Sequence, residues 1–249
     1  MHAQQPVLVI GGTRGTGLLI ARLLHHQGTP VRVLARDPAR ARRLLDPAIG
    51  ILNGDLTRPQ TLPPAIAESR ELVFTAGCRS GYPVRESSVR ATEYEGVLNT
   101  LAAARQVGFT GRLLYMTSSG LLTPSFMTRA LNAWKGNTLL WRRRAEEVLR
   151  RSGLDYTVIR TGMLVNRAAG QHQIEFTQRP LPLSVRYRIS RGDVARVFVA
   201  ALEHPRASRT TFEVVWGRQG PPALLHDLLE TLRPDPLPRA DDSEEPFRD

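Results

Sequence analysis

Three glycines, Gly11, Gly15 and Gly17, stand in a G-x-x-x-G-x-G spacing directly after the apolar run Pro6-Val-Leu-Val-Ile10. That spacing suits the binding of a diphosphate. One glycine allows a tight turn where a strand ends, a second lets the backbone approach the phosphates, and a third lets the following helix pack closely on the sheet. The first N–H groups of that helix have no intrahelical acceptor, so they can face the phosphates, helped by the helix dipole. Gly11, Thr13, Arg14, Gly15, Thr16 and Gly17 are therefore the candidate cradle. A dinucleotide seated there lays its adenosine ribose past the end of the second strand. A carboxylate at that place would hydrogen-bond a 2′-hydroxyl and repel a 2′-phosphate. This chain has Arg36 there, with no acid before Asp37, and Arg14 offers a second guanidinium from inside the loop. A guanidinium fork matches phosphate oxygens, so the expected cofactor is NADP(H). An arginine-rich composition by itself is the competing explanation for both residues.

These side chains need a scaffold, and the apolar periodicity supplies one. Short apolar runs at 6–10, 31–35, 49–53, 71–76, 111–118, 156–160 and 211–215 read as strands. Helical spacing covers 15–27, 37–45, 59–67, 87–107, 138–151, 191–203 and 222–232. Gly28 stops the first helix, Asp37 and Pro38 open the second, and Ser190 or Asp193 caps the one at 191–203. This alternation predicts an α/β fold, a Rossmann-like doubly wound parallel sheet with right-handed crossovers and a small C-terminal substrate lobe. Residues 163–187, interrupted by Pro180 and Pro182, read as irregular. The expected organisation is one domain over 1–233, with substrate-side elements near 119–137 and 162–188. The acidic, proline-containing stretch 234–249 is expected to be a mobile tail.

In order along the chain stand Gly11 to Gly17, Asn53-Gly54-Asp55-Leu56, Thr75-Ala76-Gly77, Glu95-Gly96-Val97-Leu98-Asn99 and Tyr115-Met116-Thr117-Ser118-Ser119. Ala145-Glu146-Glu147-Val148-Leu149 then runs into Ser152-Gly153-Leu154-Asp155-Tyr156-Thr157, and Arg191-Gly192-Asp193-Val194-Ala195 completes the series. In this order and spacing the chain resembles the short-chain dehydrogenase/reductase superfamily, and more closely its atypical, NmrA-like NAD(P)-binding branch. The resemblance implies that basic residues at Arg14 and Arg36 go with NADP. It implies that Asp55, beside Leu56, meets the adenine amino group, although a turn cap explains that aspartate nearly as well. Thr75, Ala76 and Gly77 would form a small-residue floor under the adenine ribose.

The resemblance breaks at the reacting end. The superfamily's usual proton chemistry uses Tyr-x-x-x-Lys. Alignment through Ala145-Glu146 puts Arg142 at the Lys position and Thr138 at the Tyr position. A threonine hydroxyl is far too weak an acid to replace a phenol. Arg142 keeps a charge and donors for ribose hydroxyls. Ser118 and Ser119 occupy the superfamily's serine position, where a hydroxyl can hydrogen-bond a substrate carbonyl; a capped strand end is the other reading. The candidate catalytic set is thus Ser119, Ser118 and Arg142. Tyr82 and Tyr94 are available acids with nothing to place them, and Tyr115 reads as core. Flavins, quinones and conjugated carbonyls can take hydride and collect a proton from water, so a reductase of such a small redox-ready substrate is expected. A non-catalytic NADP-sensing regulator is the alternative. Trp134 and Trp141, with Leu131, Leu139 and Leu140, read as packing or as a pocket wall.

Composition bounds the rest. The 249 residues carry 34 basic against 23 acidic side chains, a net charge of +11, and of the basic set only Lys135 is a lysine. The arginines run from Arg14 to Arg248 without clustering, so a solvated basic surface with an anionic ligand is expected and nucleic acid is not. No apolar stretch is long enough to span a bilayer, and the start of the chain lacks a secretory pattern. One cysteine, Cys78, excludes an internal disulfide and fits a reducing cytoplasm. It reads as a pocket residue and not a nucleophile. No metal-ligand spacing is present, so no metal is expected. A small-molecule substrate and a monomeric or homodimeric state complete the reading.

Overall fold

In the computed structural model, residues 5–78, 84–217 and 224–236 are described. Eight strands form the main sheet: β1 (Val7–Ile10), β2 (Val31–Ala35), β3 (Gly50–Asn53), β4 (Glu71–Phe74), β5 (Arg112–Ser118), β6 (Asp155–Thr161), β8 (Ile174–Thr177) and β10 (Thr210–Trp216). Their order is β3-β2-β1-β4-β5-β6-β10-β8. All neighbours run parallel except β8, which lies antiparallel to β10 at the edge. The Rossmann-like α/β expectation is met.

β1 shows why these runs are strands. Val7 and Val9 pack on one face with Ile20 and Leu24 of α1 (Gly15–His26), whereas Leu8 and Ile10 pack on the other with Leu72, Phe74 and Tyr115. Both faces are covered, so the run is apolar throughout instead of alternating. The further helices are α2 (Pro38–Arg42), α3 (Pro63–Ile66), α4 (Glu86–Arg90), α5 (Gly96–Gln106), α6 (Phe126–Trp134), α7 (Thr138–Arg151), α8 (Arg191–Glu203) and α9 (Leu225–Glu230).

Three features depart from the sequence reading. The single helix expected over 87–107 is α4 and α5 joined through a π-turn at Ala91–Glu95. Residues 163–187 are irregular only in part: they supply β7 (Met163–Val165) and β8, and β7 pairs in parallel with β9 (Arg188–Ser190) as a second small sheet. Pro180 and Pro182 follow β8 and hid its Ile174/Phe176 alternation, which packs those two side chains inward. Asp235, within the stretch expected to be mobile, is tied to the core: its carboxylate accepts from Tyr156 Oη at 3.0 Å and from Thr211 N at 3.0 Å. Residues 237–249, Tyr82 and the first two residues of the helix expected at 222–232 lie outside the described part.

Two ties hold the site-bearing helices. Arg160 of β6, buried in the sheet, reaches Glu146 of α7 at 2.6 Å and lies 3.7 Å from Glu213 of β10. That ion pair anchors α7, which carries Thr138 and Arg142. At the start of α6, Ser125 and Thr128 form a reciprocal capping box, with Thr128 N donating to Ser125 Oγ at 3.1 Å. Ser125→Ala is expected to cost about 1 kcal/mol and to fray only this helix. Hydrogen exchange should therefore speed up over 126–129 and remain unchanged in β1 and β4.

Candidate functional site

The strand order reverses between β1 and β4, and a crevice opens beyond the carboxyl ends of strands at such a point. Gly11 ends β1 with φ +91°, and a Cβ there would lie 2.7 Å from Ala76 N, so the turn presses directly on the segment after β4. At Gly17 a Cβ would collide with Thr75 Oγ1 and stand 2.5 Å from the Gly11 carbonyl oxygen. Two of the three glycines are thus required by close approach. Thr16 Oγ1, on the first turn of α1, is buried with no hydrogen-bond partner.

A cavity of about 260 Å³ lies over this loop. It is bordered by Gly11, Thr13, Arg14, Arg36, Asp55, Leu56, Thr75, Ala76 and Gly77, most of the residues singled out as cofactor-binding from sequence. The Asp55 carboxylate accepts from Thr57 N and Thr57 Oγ1, both at 2.9 Å, so it caps its own turn while also facing the cavity. Arg14 Nη2 donates to the Gly77 carbonyl, which directs its guanidinium across the mouth toward β4. A backbone approach that tolerates only glycine, and a cavity bordered by this loop and by Arg36, fit the diphosphate and adenosine of a pyridine dinucleotide.

A second cavity of about 630 Å³ adjoins the first at Cys78, which borders both. Met127, Leu131 and Trp134 of α6, Leu139 of α7 and Met163 and Leu164 of β7 give it apolar walls. Lys135, Arg142, Glu93 and Ser118 add polar points. Trp134 and Met127 remain 57% and 41% exposed, which leaves the rim open to solvent. Residues from both 119–137 and 162–188 line this cavity. Trp141 instead packs on Tyr94 and donates to Glu86 Oε1 at 3.1 Å, and Leu140 is exposed.

Arg142 of the candidate catalytic set, together with Thr138 and the Cys78 amide, converges on one residue that the sequence reading did not single out, Glu93. Its carboxylate accepts from Arg142 Nε at 2.8 Å, from Thr138 Oγ1, and from Cys78 N at 2.9 Å. Burial by itself would raise this carboxyl. The charge of Arg142 and the three hydrogen bonds outweigh burial and hold it below the usual carboxylate range. Glu93 sits in the π-turn that interrupts the long helix, a distortion common at functional sites. The available signal was the pair Thr138 and Arg142, one turn apart on one helix face and in need of a buried counter-charge.

The two serines separate. Ser118 Oγ borders the large cavity, buried and without a partner. Ser119 turns away from it, donating to Glu213 Oε2 at 2.6 Å. Burial pushes the Cys78 thiol up, with the neighbouring Glu93 charge adding to the shift. Burial raises the Tyr115 phenol as well. Neither is a proton donor or nucleophile near neutral pH. His204, His226 and Glu230 cluster elsewhere, within 4.8 Å of one another. His204 Nδ1 accepts from Arg206 N at 3.2 Å, which leaves the proton on Nε2 and no lone pair there for an ion.

Residues 11–205 match the protein family described as NAD(P)H-binding. The chain is 28% identical over 243 residues to sanguinarine reductase of Eschscholzia californica, covering 84% of this chain and 88% of that protein. It is 26% identical over 234 residues to the photosystem II assembly factor Ycf39 of Synechocystis sp., covering 91% and 67%. Among solved structures, a putative NAD-dependent epimerase/dehydratase from Bacillus halodurans superposes with a TM-score of 0.77 at 23% identity, covering 92% of this chain and all of that one. Among the described residues no helix is long and apolar enough to cross a membrane.

Proposed function

The chain belongs to the NAD(P)H-binding family, and from that premise we propose that it is an NADP(H)-dependent oxidoreductase acting on a small, conjugated acceptor such as a flavin, a quinone or a conjugated carbonyl. The observation that carries the reading is the closed set Thr138–Glu93–Arg142 at the junction of the two cavities. Thr138 gives its only proton to a carboxylate held ionised, and Arg142 is held charged. Among the described residues no acid stands ready at that junction, which favours an acceptor that needs none.

When bound, the nicotinamide supplies the hydride. The loop from Gly11 to Gly17 cradles the diphosphate, Arg36 neutralises the 2′-phosphate, and Asp55 and Leu56 flank the adenine. Thr75, Ala76 and Gly77 keep the floor low enough for the ribose. The donors of Arg142 not given to Glu93 hold ribose hydroxyls. Ser118 donates to the acceptor atom that gains electron density. Ser119 is a positioning residue through Glu213, whose other carboxylate oxygen accepts Leu181 N at 3.3 Å. Protons reach the reduced acceptor from water at the open rim.

The test is NADPH oxidation on adding flavin or quinone. Turnover is expected, with a rate flat between about pH 6 and 9, because Glu93 titrates below that window and Arg142 above it. A bell-shaped profile would mean that an enzymic acid takes part in the reaction. The same closed triad, together with the likeness to an assembly factor, favours a second reading, a dinucleotide-sensing regulator. Equal affinity for NADP+ and NADPH with no turnover on any acceptor would select it.

A further inference from the structure

The segment Arg191-Gly192-Asp193 opens α8, and the function proposed above uses none of it. Asp193 is accounted for by packing. It is fully buried and accepts from Ser190 Oγ at 2.7 Å, Gly170 N at 2.7 Å and Trp216 Nε1 at 2.9 Å. Arg191 is different. Helices α1 and α8 lie side by side, and their first turns meet at the glycine loop. A Cβ placed on Gly15 would stand 3.8 Å from Arg191 Nε and 4.0 Å from its Cδ, with nothing else from outside its own helix within 4 Å. The gap above the middle glycine is therefore open, and a guanidinium forms its far side. The hydrogen-bond partner of that guanidinium is a neutral amide, Asn166 Oδ1 at 2.6 Å, just beyond β7. The nearest acid in sequence, Asp193, is taken by other donors, and among the described residues Arg191 has no carboxylate partner. Arg191 also borders the large cavity beside Met163 and Leu164.

We propose that Arg191 is the second anchor of the dinucleotide diphosphate, closing on it from the α8 side opposite the loop amides. This assignment depends on the dinucleotide binding proposed above. A charge without a carboxylate partner, held by an amide next to a bare glycine turn, is a receptor for phosphate oxygens. It has a second consequence. The same side chain is part of the substrate wall, so diphosphate binding fixes β7 and the start of α8, and the substrate cavity takes its final form only after the cofactor is in place.

The test is calorimetric titration of the full chain and its Arg191→Gln variant with NADPH, NADH and adenosine 2′-phosphate, which has the 2′-phosphate but no diphosphate. Arg191→Gln is expected to weaken NADPH and NADH alike by roughly tenfold and to leave adenosine 2′-phosphate within about twofold. Arg191→Lys, which keeps the charge, should recover about a third of the loss on a logarithmic scale. NADPH should slow hydrogen exchange over 163–170 in the native chain and not in Arg191→Gln. Unchanged dinucleotide affinity in both variants overturns the anchor and leaves the cofactor reading standing. Equal loss for all three ligands overturns it too, since the effect would then not belong to the diphosphate. A native chain that binds none of the three removes the cofactor reading itself.

Discussion

Arg36→Glu is expected to weaken NADPH binding by roughly 50- to 100-fold and to leave NADH within about threefold, as measured by fluorescence or calorimetric titration. The argument begins at β2, whose pairing with β1 and β3 brings the end of the strand to the rim of the smaller cavity. Arg36 is the first residue past that end and is solvent-facing. Losing a charge-assisted fork on a phosphate costs about 1.5–3 kcal/mol, and adding a like charge beside the phosphate raises the cost. The same glutamate can accept from a 2′-hydroxyl, so NADH is spared the loss that NADPH suffers. Arg14 does not duplicate this role in the present conformation, because its Nη2 is committed to the Gly77 carbonyl. Equal loss for both nucleotides would remove Arg36 from the 2′-phosphate and return it to the background of surface arginines.

What could be read from the sequence followed from how local each signal is. The loop was legible because turn geometry and close approach act within a few residues: Gly11 needs a positive φ, and Gly17 has no space for a Cβ. Strand β1 was legible because burial on both faces leaves an unbroken apolar run, and β2 and β6 because their runs are mostly apolar, broken by Arg32 in the one and by Thr157 and Arg160 in the other. β8 was not, because a four-residue edge strand next to two prolines has too short an alternation to stand out. The site divided in the same way. Most of the candidate residues that border the smaller cavity sit directly after strands, where position alone suggests a role. Glu93 is distant in sequence from both Thr138 and Arg142, and only the packing of the π-turn against α7 brings the three together. Neighbours one residue apart proved equally hard to separate. Ser118 and Ser119 look alike as letters, yet strand alternation sends one hydroxyl to the cavity and the other to Glu213.

Glu93→Gln should then be the most damaging single change at the site, costing about 3 kcal/mol of folding stability by urea denaturation. The amide keeps the volume and can still accept a hydrogen bond, but it removes the charge that balances Arg142. Breaking a buried ion pair from one side costs about 3–5 kcal/mol. The lower end applies because 22% of the Arg142 side chain remains open to the cavity, against 5% of Glu93. Thr138→Val, which removes one hydrogen bond from the same carboxylate, should cost about 1 kcal/mol. Arg142→Met combined with Glu93→Gln should be less damaging than the sum of the two single changes, since no charge is then left alone. The pH dependence has a definite sign. Glu93 titrates lower in the folded chain than its unfolded value of about 4.3, so its contribution is complete above that value and is lost as pH falls through the folded one. Native protein should therefore lose stability on acidification more steeply than Glu93→Gln, with the two curves converging at the acid end. Parallel curves, or a loss below about 1 kcal/mol at neutral pH, would show that Arg142 does not depend on this carboxylate. Thr138 would then be free to face the substrate, and the case for a reductase that borrows its proton from water would lose its footing.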